Sequence, residues 1–462
     1  MTSPQLSPND IRTLFSRAMS EMYRDEVPAY GTLLDLVAEL NGKTLAGHPE
    51  EKARLASLGE LERLSEERHG AIRLGTAAEL ATMRQLFAVM GMYPVGYYDL
   101  SVAGVPVHST AFRPLEDAAL RANPFRVFTS LLRLDLIADE TLRADAEAVL
   151  AQRQIFTPGC LRLIEKAETE GGLSAEDARS FVAEALETFR WHTRANVDHR
   201  MYRRLHDAHR LIADVVAFKG PHINHLTPRT LDIDAVQRMM PEKGVAPKAV
   251  IEGPPARRVP ILLRQTSFKA LEEPVDFITD GTNEPGSHTA RFGEIEQRGM
   301  ALTPKGQALY DRLLGETRAA ITPAPDGSNA AAYMAKLQEI FAAFPDDPEQ
   351  LRKDGLGYFR YSVTGKPASA ADVTRDADAL IAAGLLRADP IVYEDFLPVS
   401  AAGIFQSNLG DDAAQTFGAT PNRDMFETAL GARVIDLHHC YAEIEAASLA
   451  RARSELGRSA AA

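Results

Sequence analysis

Residues 68–79 have the sequence RHGAIRLGTAAE, which joins a short strand-like segment to a helix start. The four residues that begin at Thr76 have the Thr-x-x-Glu form of a capping box, and a helix through Met90 is expected to follow. Residues 93–112 are rich in aromatic and β-branched residues and are interrupted by glycine, which predicts two or three antiparallel strands. The order strand, helix, strands is that of a βαβββ module.

A second copy of this module is predicted further along the chain. His69 lies seven residues before the candidate N-cap Thr76, and His225 lies seven residues before the candidate N-cap Asp232. The equal offset places each histidine on the opening strand of its module. We therefore predict an α+β fold built on two βαβββ modules with large helical additions. The elements predicted for the second copy are strands at 215–226, 249–252 and 259–268 and a helix at 232–240.

The chain is expected to contain five regions. Apolar periodicity predicts a helical N-terminus and a mostly helical C-terminus, and further helices at 125–136, 144–150 and 174–186 between the two modules. The predicted regions are an N-terminal helical lead-in (1–67), the first module (68–113), an inserted helical region (114–214), the second module (215–301) and the C-terminal region (302–462).

The composition excludes several classes of protein. The 462 residues are 45% hydrophobic and 25% charged, which is typical of a globular protein with a sizeable core. The net charge of −13 argues against a nucleic-acid partner, because such binding depends on clustered Lys and Arg. No stretch approaches the roughly 20 apolar residues that cross a bilayer, and the N-terminus lacks a secretory pattern. We therefore expect a cytoplasmic protein without a membrane partner.

Three side chains are candidate ligands of a metal ion: His69, His225 and Glu294. Two histidines and a carboxylate are the ligand set of mononuclear non-haem iron(II) oxygenases, which leaves coordination positions open for substrate and dioxygen. The two cysteines, Cys160 and Cys440, are far apart in sequence, so a thiolate site is not indicated. The simpler alternatives are a solvated or capped histidine and a carboxylate at the edge of a sheet.

Parity along a strand leaves the choice of glutamate open. In the segment FGEIEQRG at 292–299, Glu294 and Glu296 share one face of the predicted strand. We favour Glu294, because Gly293 allows close approach of the backbone, and assign Glu296 to an outer position or to an ion pair with Arg298. His222 and His225 would face opposite sides of a strand, so at most one of them joins the site.

Arg73 is a candidate anion clamp. Residues of equal parity share a face of a strand, so Arg73 points the same way as His69, with the compact Ala71 between them. The planar guanidinium binds a carboxylate through two parallel hydrogen bonds. The alternative function of Arg73 is a structural salt bridge.

Four runs of sequence resemble one known family, the bacterial 2-oxoadipate dioxygenase/decarboxylases, which are also called D-2-hydroxyglutarate synthases. The resemblance covers nearly the whole chain, and it implies a βαβββ metal core like that of the vicinal oxygen chelate superfamily. The runs are RHGAIRLG at 68–75, PHINHLTPR at 221–229, FGEIEQRG at 292–299 and FLPVSAAGIFQSN at 396–408.

The resemblance also implies the components of an active site. It implies that Fe(II) is held by His69, His225 and Glu294 and that Arg73 binds the distal carboxylate of 2-oxoadipate. A loop of the C-terminal region, with Val399 and Ser400, would contact the substrate.

The implied reaction consumes 2-oxoadipate and O2 and releases CO2 and D-2-hydroxyglutarate, in lysine catabolism, without a separate 2-oxoglutarate cosubstrate. Preference for 2-oxoadipate over 2-oxoglutarate is expected, with one methylene worth about 1–3 kcal/mol. Two alternatives stay open at this point. One is a redox-neutral isomerase or lyase that uses another metal on the same scaffold, and the other is a metal-dependent sensor of 2-oxo dicarboxylic acids. The sequence leaves the oligomeric state open.

Overall fold

The computed structural model describes residues 4–66, 68–279, 281–324, 327–397 and 422–461. The chain is an α+β protein that divides into two compact units. The first unit comprises residues 1–252, 265–297 and 396–434, and the second comprises residues 253–264, 298–395 and 435–462.

The N-terminal part of the first unit is helical, as predicted. Ser7 accepts a hydrogen bond from the backbone N–H of Asp10, and Pro8 occupies the first turn, so the first helix begins with a side-chain cap. This helix buries Phe15, Met19 and Tyr23, which are spaced by four residues and therefore share one face. The elements are β1 (Gln5–Leu6), α1 (Pro8–Glu26), α2 (Pro28–Gly47), α3 (Pro49–Leu58) and α4 (Glu60–Glu66).

The first βαβββ module is present. The predicted capping box of its helix is confirmed, because Thr76 and Glu79 each bond to the other's backbone N–H. The strands of the module form a five-stranded sheet together with the first strand of the second module. The elements are β2 (Arg68–Leu74), α5 (Ala77–Val89), β3 (Tyr93–Asp99), β4 (Val107–Arg113), α6 (Asp117–Ala122) and β5 (Arg126–Leu132).

The helix predicted at 125–136 was wrong. This segment contains β5, which lies between β4 and β2, is parallel to β2 and completes the module. Nearly every residue of β5 is buried, and apolar periodicity alone does not separate a buried strand from a buried helix. The predicted helices at 144–150 and 174–186 are confirmed. The elements that follow β5 are α7 (Glu140–Ala151), α8 (Pro158–Glu170), β6 (Leu173–Ser174), α9 (Ala175–Leu186), α10 (His199–Ala208) and α11 (Arg210–Val216).

The second module is shorter than predicted. The strand predicted at 215–226 was wrong, because α11 extends to Val216. The opening strand of the module, β7, contains only three residues, Leu226–Pro228. All of α11 after Arg210 is buried, so its sequence shows no alternation of polar and apolar residues that would distinguish a strand from a helix. A long hairpin, β9 with β10, was not predicted. The elements are β7 (Leu226–Pro228), α12 (Ile233–Met239), β8 (Leu263–Ser267), β9 (Glu272–Thr279), β10 (Thr282–Thr289) and β11 (Glu294–Arg298).

Strand pairing in the second module repeats that of the first. β2 is parallel to β5 in the first module, and Arg229, just after β7, forms a parallel bridge to Glu296 of β11. β11 pairs with β8, and the strand predicted at 249–252 is reduced to a bridge between Glu252 and Gln265. β2 and β7 are antiparallel neighbours, so the opening strands of the two modules lie side by side.

The remaining elements are mostly helical, as predicted. They include a short helix at Ala377–Ala382 and a long final helix at Leu437–Ala461. In the part of the chain that the structure describes, no helix is long and apolar enough to cross a membrane. The elements are α13 (Pro304–Ala320), α14 (Ala330–Phe341), α15 (Pro348–Lys353), β12 (Phe359–Val363), α16 (Ala377–Ala382), β13 (Leu386–Pro390), α17 (Arg423–Leu430) and α18 (Leu437–Ala461).

Candidate metal centre

The structure brings His69, His225 and Glu294 together in the first unit. Oε1 of Glu294 lies 3.1 Å from Nε2 of His69 and 3.8 Å from Nε2 of His225. All three ligand atoms lie within 4.8 Å of one another. Metal bonds of about 2.1 Å at right angles separate two ligand atoms by about 3.0 Å, so these distances suit one bound ion. His69 and Glu294 are buried, and the side chain of His225 is 12% exposed.

Three separate segments supply these side chains. His69 lies on β2, His225 immediately precedes β7, and Glu294 begins β11. β2 and β7 are paired with His69 opposite Thr227, which brings the first two segments together. The hydroxyl of Thr227 donates a hydrogen bond of 3.2 Å to Oε1 of Glu294 and so links the second segment to the third.

Tyr23 of α1 fixes the backbone of two of these segments. Its hydroxyl lies 2.9 Å from the carbonyl oxygen of Asn224 and 2.7 Å from that of Phe292, so its single proton is shared between these two acceptors. The backbone N–H of Phe292 donates to the carbonyl of Asn224 as well. Tyr23 is fully buried, and these bonds hold the residues that precede His225 and Glu294 in a fixed relation.

Two glycines allow the close packing of these segments. A Cβ atom at Gly70 would lie 2.6 Å from the side chain of Ile223 and 3.1 Å from the carbonyl oxygen of His225. A Cβ atom at Gly293 would lie 2.2 Å from the ring of Phe268. Close approach was predicted at Gly293, and the structure shows that it is made by a buried aromatic ring.

The two glutamates of β11 contact different nitrogens of the same imidazole. Glu294 faces Nε2 of His69, and Oε2 of Glu296 lies 3.0 Å from Nδ1. Arg126 lies behind Glu296, with Nη2 3.8 Å from Oε1 of that glutamate. Glu296 therefore occupies the outer position expected of a carboxylate that orients a metal-binding histidine.

This arrangement suits a cation between His69 and Glu294. A neutral imidazole has one ring proton, and if Glu296 accepts it from Nδ1, the lone pair of Nε2 faces Oε1 of Glu294. Two electron-pair donors then oppose each other at 3.1 Å, and a bound cation removes their repulsion. Burial alone lowers the pKa of His69, but Glu296 and Glu294 together raise it above its ordinary value. The two carboxylates thus favour positive charge here.

His225 is held in its neutral form. Burial, followed by the charges of His69 and Arg73, brings the pKa of His225 well below its ordinary value. A metal ligand must offer the lone pair of a neutral imidazole, so this environment favours metal binding. The rings of Phe292 and Phe396 lie 4.8 Å from His225 and 4.9 Å from His69, respectively, and form apolar walls.

Arg73, the predicted anion clamp, forms a short ion pair. Its Nη1 donates to Oδ2 of Asp214 at 2.6 Å. His222 also contacts this carboxylate, with Nε2 3.3 Å from Oδ1, and so lies apart from the His225 position, as expected. The predicted substrate contacts Val399 and Ser400 lie outside the described residues.

The chain was compared with known proteins. The model of the 2-oxoadipate dioxygenase/decarboxylase family matches residues 15–408. The chain belongs to this family. The 2-oxoadipate dioxygenase/decarboxylase of Pseudomonas putida is 62% identical over 447 residues, which cover 96% of each chain. The Escherichia coli relative of the same name is 56% identical over 449 residues, covering 96% of this chain and 98% of the relative.

Solved structures of the family share this fold. The crystal structure of the hydroxyglutarate synthase from Pseudomonas putida in complex with 2-oxoadipate superposes with a TM-score of 0.90 at 59% identity. The match covers 99% of this chain and all of that one. The arrangement of the described residues is therefore that of the family.

Sequence reasoning missed three residues that contact Arg73, the triad or the backbone beside it. Tyr23 lies on a distant helix, so no local pattern connected it with the site. Thr227 follows His225 at an interval of two, and parity along β7 could have suggested it. Asp214 is the one charged residue in the apolar segment 211–218, and an isolated carboxylate in such a segment indicates a buried partner.

Proposed function

We propose that the protein is an Fe(II)-dependent dioxygenase/decarboxylase that converts 2-oxoadipate and O2 to D-2-hydroxyglutarate and CO2. The observation that carries this proposal is the cluster of His69, His225 and Glu294 in a chain that matches the 2-oxoadipate dioxygenase/decarboxylase family over residues 15–408. The relative crystallised with 2-oxoadipate supports the choice of substrate.

The donor set supports iron. Two imidazoles and one carboxylate on one side of the metal are typical of non-haem iron(II) oxygenases. Bound there, Fe(II) would supply the Lewis acidity that binds the 2-oxo carboxylate and the electrons that activate dioxygen.

The protein side chains orient the metal site and the substrate. Oε2 of Glu296 lies 3.0 Å from Nδ1 of His69, and this contact orients the ring so that Nε2 faces the metal position. Thr227 donates to Oε1 of Glu294 and limits its rotation. We assign to Arg73 the binding of the distal carboxylate through donors that Asp214 does not use. Val399 and Ser400 are proposed to contact the substrate.

The overall reaction balances without a second organic substrate. The bond between the carboxyl carbon and the oxo carbon of 2-oxoadipate breaks, and the carboxyl group leaves as CO2. One oxygen atom of O2 completes the new carboxylate, and the other becomes the hydroxyl on the neighbouring carbon. The dicarboxylate stays anchored at its distal end throughout, which determines the hydrogen that is replaced.

The proposal is tested by oxygen uptake of anaerobically Fe(II)-loaded protein on addition of 2-oxoadipate. We expect one CO2 and one D-2-hydroxyglutarate for each O2, and loss of uptake in His225→Ala. His439→Ala is the matched control, because His439 is exposed on α18 and should retain full activity. Substrate binding without O2 uptake would contradict the proposal and indicate a redox-neutral enzyme or a sensor. Loading with Zn2+, Mn2+ or Ni2+ should give no uptake.

A further inference from the structure

Asp214 is a buried carboxylate that contacts Arg73, His288 and His222. It lies on α11 with 6% of its surface exposed, and its Oδ2 accepts the 2.6 Å bond from Arg73. We propose that Asp214 is a positioning residue that sets the chain length of the substrate by fixing the guanidinium of Arg73. This inference rests on the proposed function.

Arg73 is well placed to discriminate between substrates of different chain length. It shares a face of β2 with His69, and its charge is near enough to His225 to contribute to the lowered pKa of that imidazole. A guanidinium has five donors in a rigid plane, so a bond that holds Nη1 fixes the direction of the others. The distance from the metal position to the free edge of Arg73 then depends on Asp214.

Asp214 is itself held from two other sides. Nε2 of His288 on β10 lies 2.9 Å from Oδ1, and Nε2 of His222 lies 3.3 Å from the same oxygen. The other ring nitrogen of His288 contacts the hydroxyl of Tyr202 at 2.8 Å. His222 and His288 are both buried. Because His288 and His222 hold the carboxylate from two sides, it forms a firm support for a long, rotatable arginine side chain.

The electrostatics agree with a permanent ion pair. Burial alone would raise the pKa of Asp214, but His222 and Arg73 bring it well below its ordinary value. The carboxylate of Asp214 is therefore held in its charged form. A charge-assisted bond of this length is stronger and more directional than a neutral one.

The simpler explanation is that Asp214 only neutralises a partly buried arginine. Both explanations predict a loss of stability in Asp214→Asn, since the charge of Arg73 becomes unpaired. They differ for a ligand without a distal carboxylate, such as 2-oxohexanoate. A positioning function acts only on ligands that Arg73 grips, so binding of 2-oxohexanoate should be unchanged. A general structural defect would weaken the binding of all ligands.

The test compares wild type with Asp214→Asn in the metal-loaded protein. We expect the KM for 2-oxoadipate to rise about tenfold with a smaller change in kcat, and the preference over 2-oxoglutarate to fall about tenfold. The inhibition constant of 2-oxohexanoate should stay within about twofold of wild type. Equal weakening of all three ligands, or unchanged discrimination, would overturn the proposal.

Glu79→Gln is the matched control, because Glu79 is another buried carboxylate and pairs with Arg153 at 2.7 Å. It should lower stability without changing the ratio of the two substrates. If Asp214→Asn does not fold, Asp214→Glu carries the test, since it keeps the charge but displaces the guanidinium. That variant should also lose discrimination, and an unchanged ratio would count against positioning.

Anaerobic calorimetry separates this inference from the proposed function. It measures the binding of 2-oxoadipate, 2-oxoglutarate and 2-oxohexanoate to metal-loaded protein without turnover. If wild type fails to consume O2, the proposed function fails, and the binding ratio still reports on Asp214. If wild type consumes O2 and the binding ratio is the same in Asp214→Asn, only the positioning inference fails.

Discussion

Nε2 of His69 lies 3.1 Å from Oε1 of Glu294, while Nδ1 of the same ring lies 3.0 Å from Oε2 of Glu296. One imidazole therefore separates two glutamates that share a face of one strand. The first glutamate also lies 3.8 Å from Nε2 of His225. This geometry assigns different functions to two residues of the same type, and each function can be tested.

The two glutamates should differ in their effect on metal binding. Glu294→Gln removes a charged ligand atom, so we expect metal affinity to fall by more than about a hundredfold. Glu296→Gln removes only the partner that orients His69, and a fall of about 10-fold to 100-fold is expected. Anaerobic titration of each variant with Fe(II), followed by dialysis and metal analysis, measures the difference. Equal losses in the two variants would contradict the assignment.

Tyr23 should support the metal site from α1. In Tyr23→Phe the carbonyl of Phe292 loses its buried donor, which should lower the free energy of unfolding by about 1–3 kcal/mol. Metal affinity should also fall, because the residues before His225 and Glu294 are less firmly held. Tyr30→Phe is the control. The hydroxyl of Tyr30 lies 3.0 Å from that of Ser20, so its loss should affect stability alone. Unchanged metal affinity in Tyr23→Phe would show that α1 does not support the site.

Replacement of Gly293 should be costly. The added Cβ of Gly293→Ala would lie 2.2 Å from the ring of Phe268, so the buried segment before Glu294 has to move. We expect a loss of about 1–3 kcal/mol in the free energy of unfolding, together with weaker metal binding. Gly315→Ala, in α13, has open space around its Cβ and should be neutral or stabilising. Chemical denaturation of the two variants provides the comparison, and similar stabilities would refute the packing argument.

His108 should contribute a pH dependence of stability. Burial, and then the charge of Arg133, lowers the pKa of His108 to about 4, whereas an unfolded histidine titrates near 6.5. The unfolded chain binds more protons between these values, so the contribution is complete above about pH 6.5 and is lost as the pH falls to about 4. It amounts to at most about 3 kcal/mol. Urea unfolding from pH 4 to 7 should show a shallower pH slope for His108→Gln than for wild type.

His439→Gln is the control for this measurement. His439 is exposed, so its replacement should leave the slope unchanged. A slope of His108→Gln that matches wild type would show that His108 is not buried in its neutral form.

Local sequence signals predicted much of the helical structure. The capping box at Thr76 marks the start of α5, and the helix predicted at 174–186 differs from α9 by one residue. Sequence periodicity did not give the correct type of element where that element is buried on all sides. β5 and α11 are buried on nearly all sides, so neither period distinguishes strand from helix.

The residues of the candidate site followed from the sequence only in part. The repeated offset of His69 and His225 from their helix caps pointed to two equivalent opening strands, and the structure places these segments side by side. The ring orientation that separates Glu294 from Glu296 depends on tertiary packing and has no signature in the sequence. The pairing of Arg73 with Asp214 joins residues that are 141 positions apart, beyond the reach of any local pattern.

The most direct test of the central claim is a turnover of Fe(II)-loaded protein with 2-oxoadipate under 18O2. The account predicts that 2-hydroxyglutarate is formed with one labelled oxygen in its new carboxylate and one in its hydroxyl, with release of one CO2. Under the same conditions His225→Ala should form no labelled product. A product without oxygen from the labelled O2, or turnover that consumes no O2, would contradict the account.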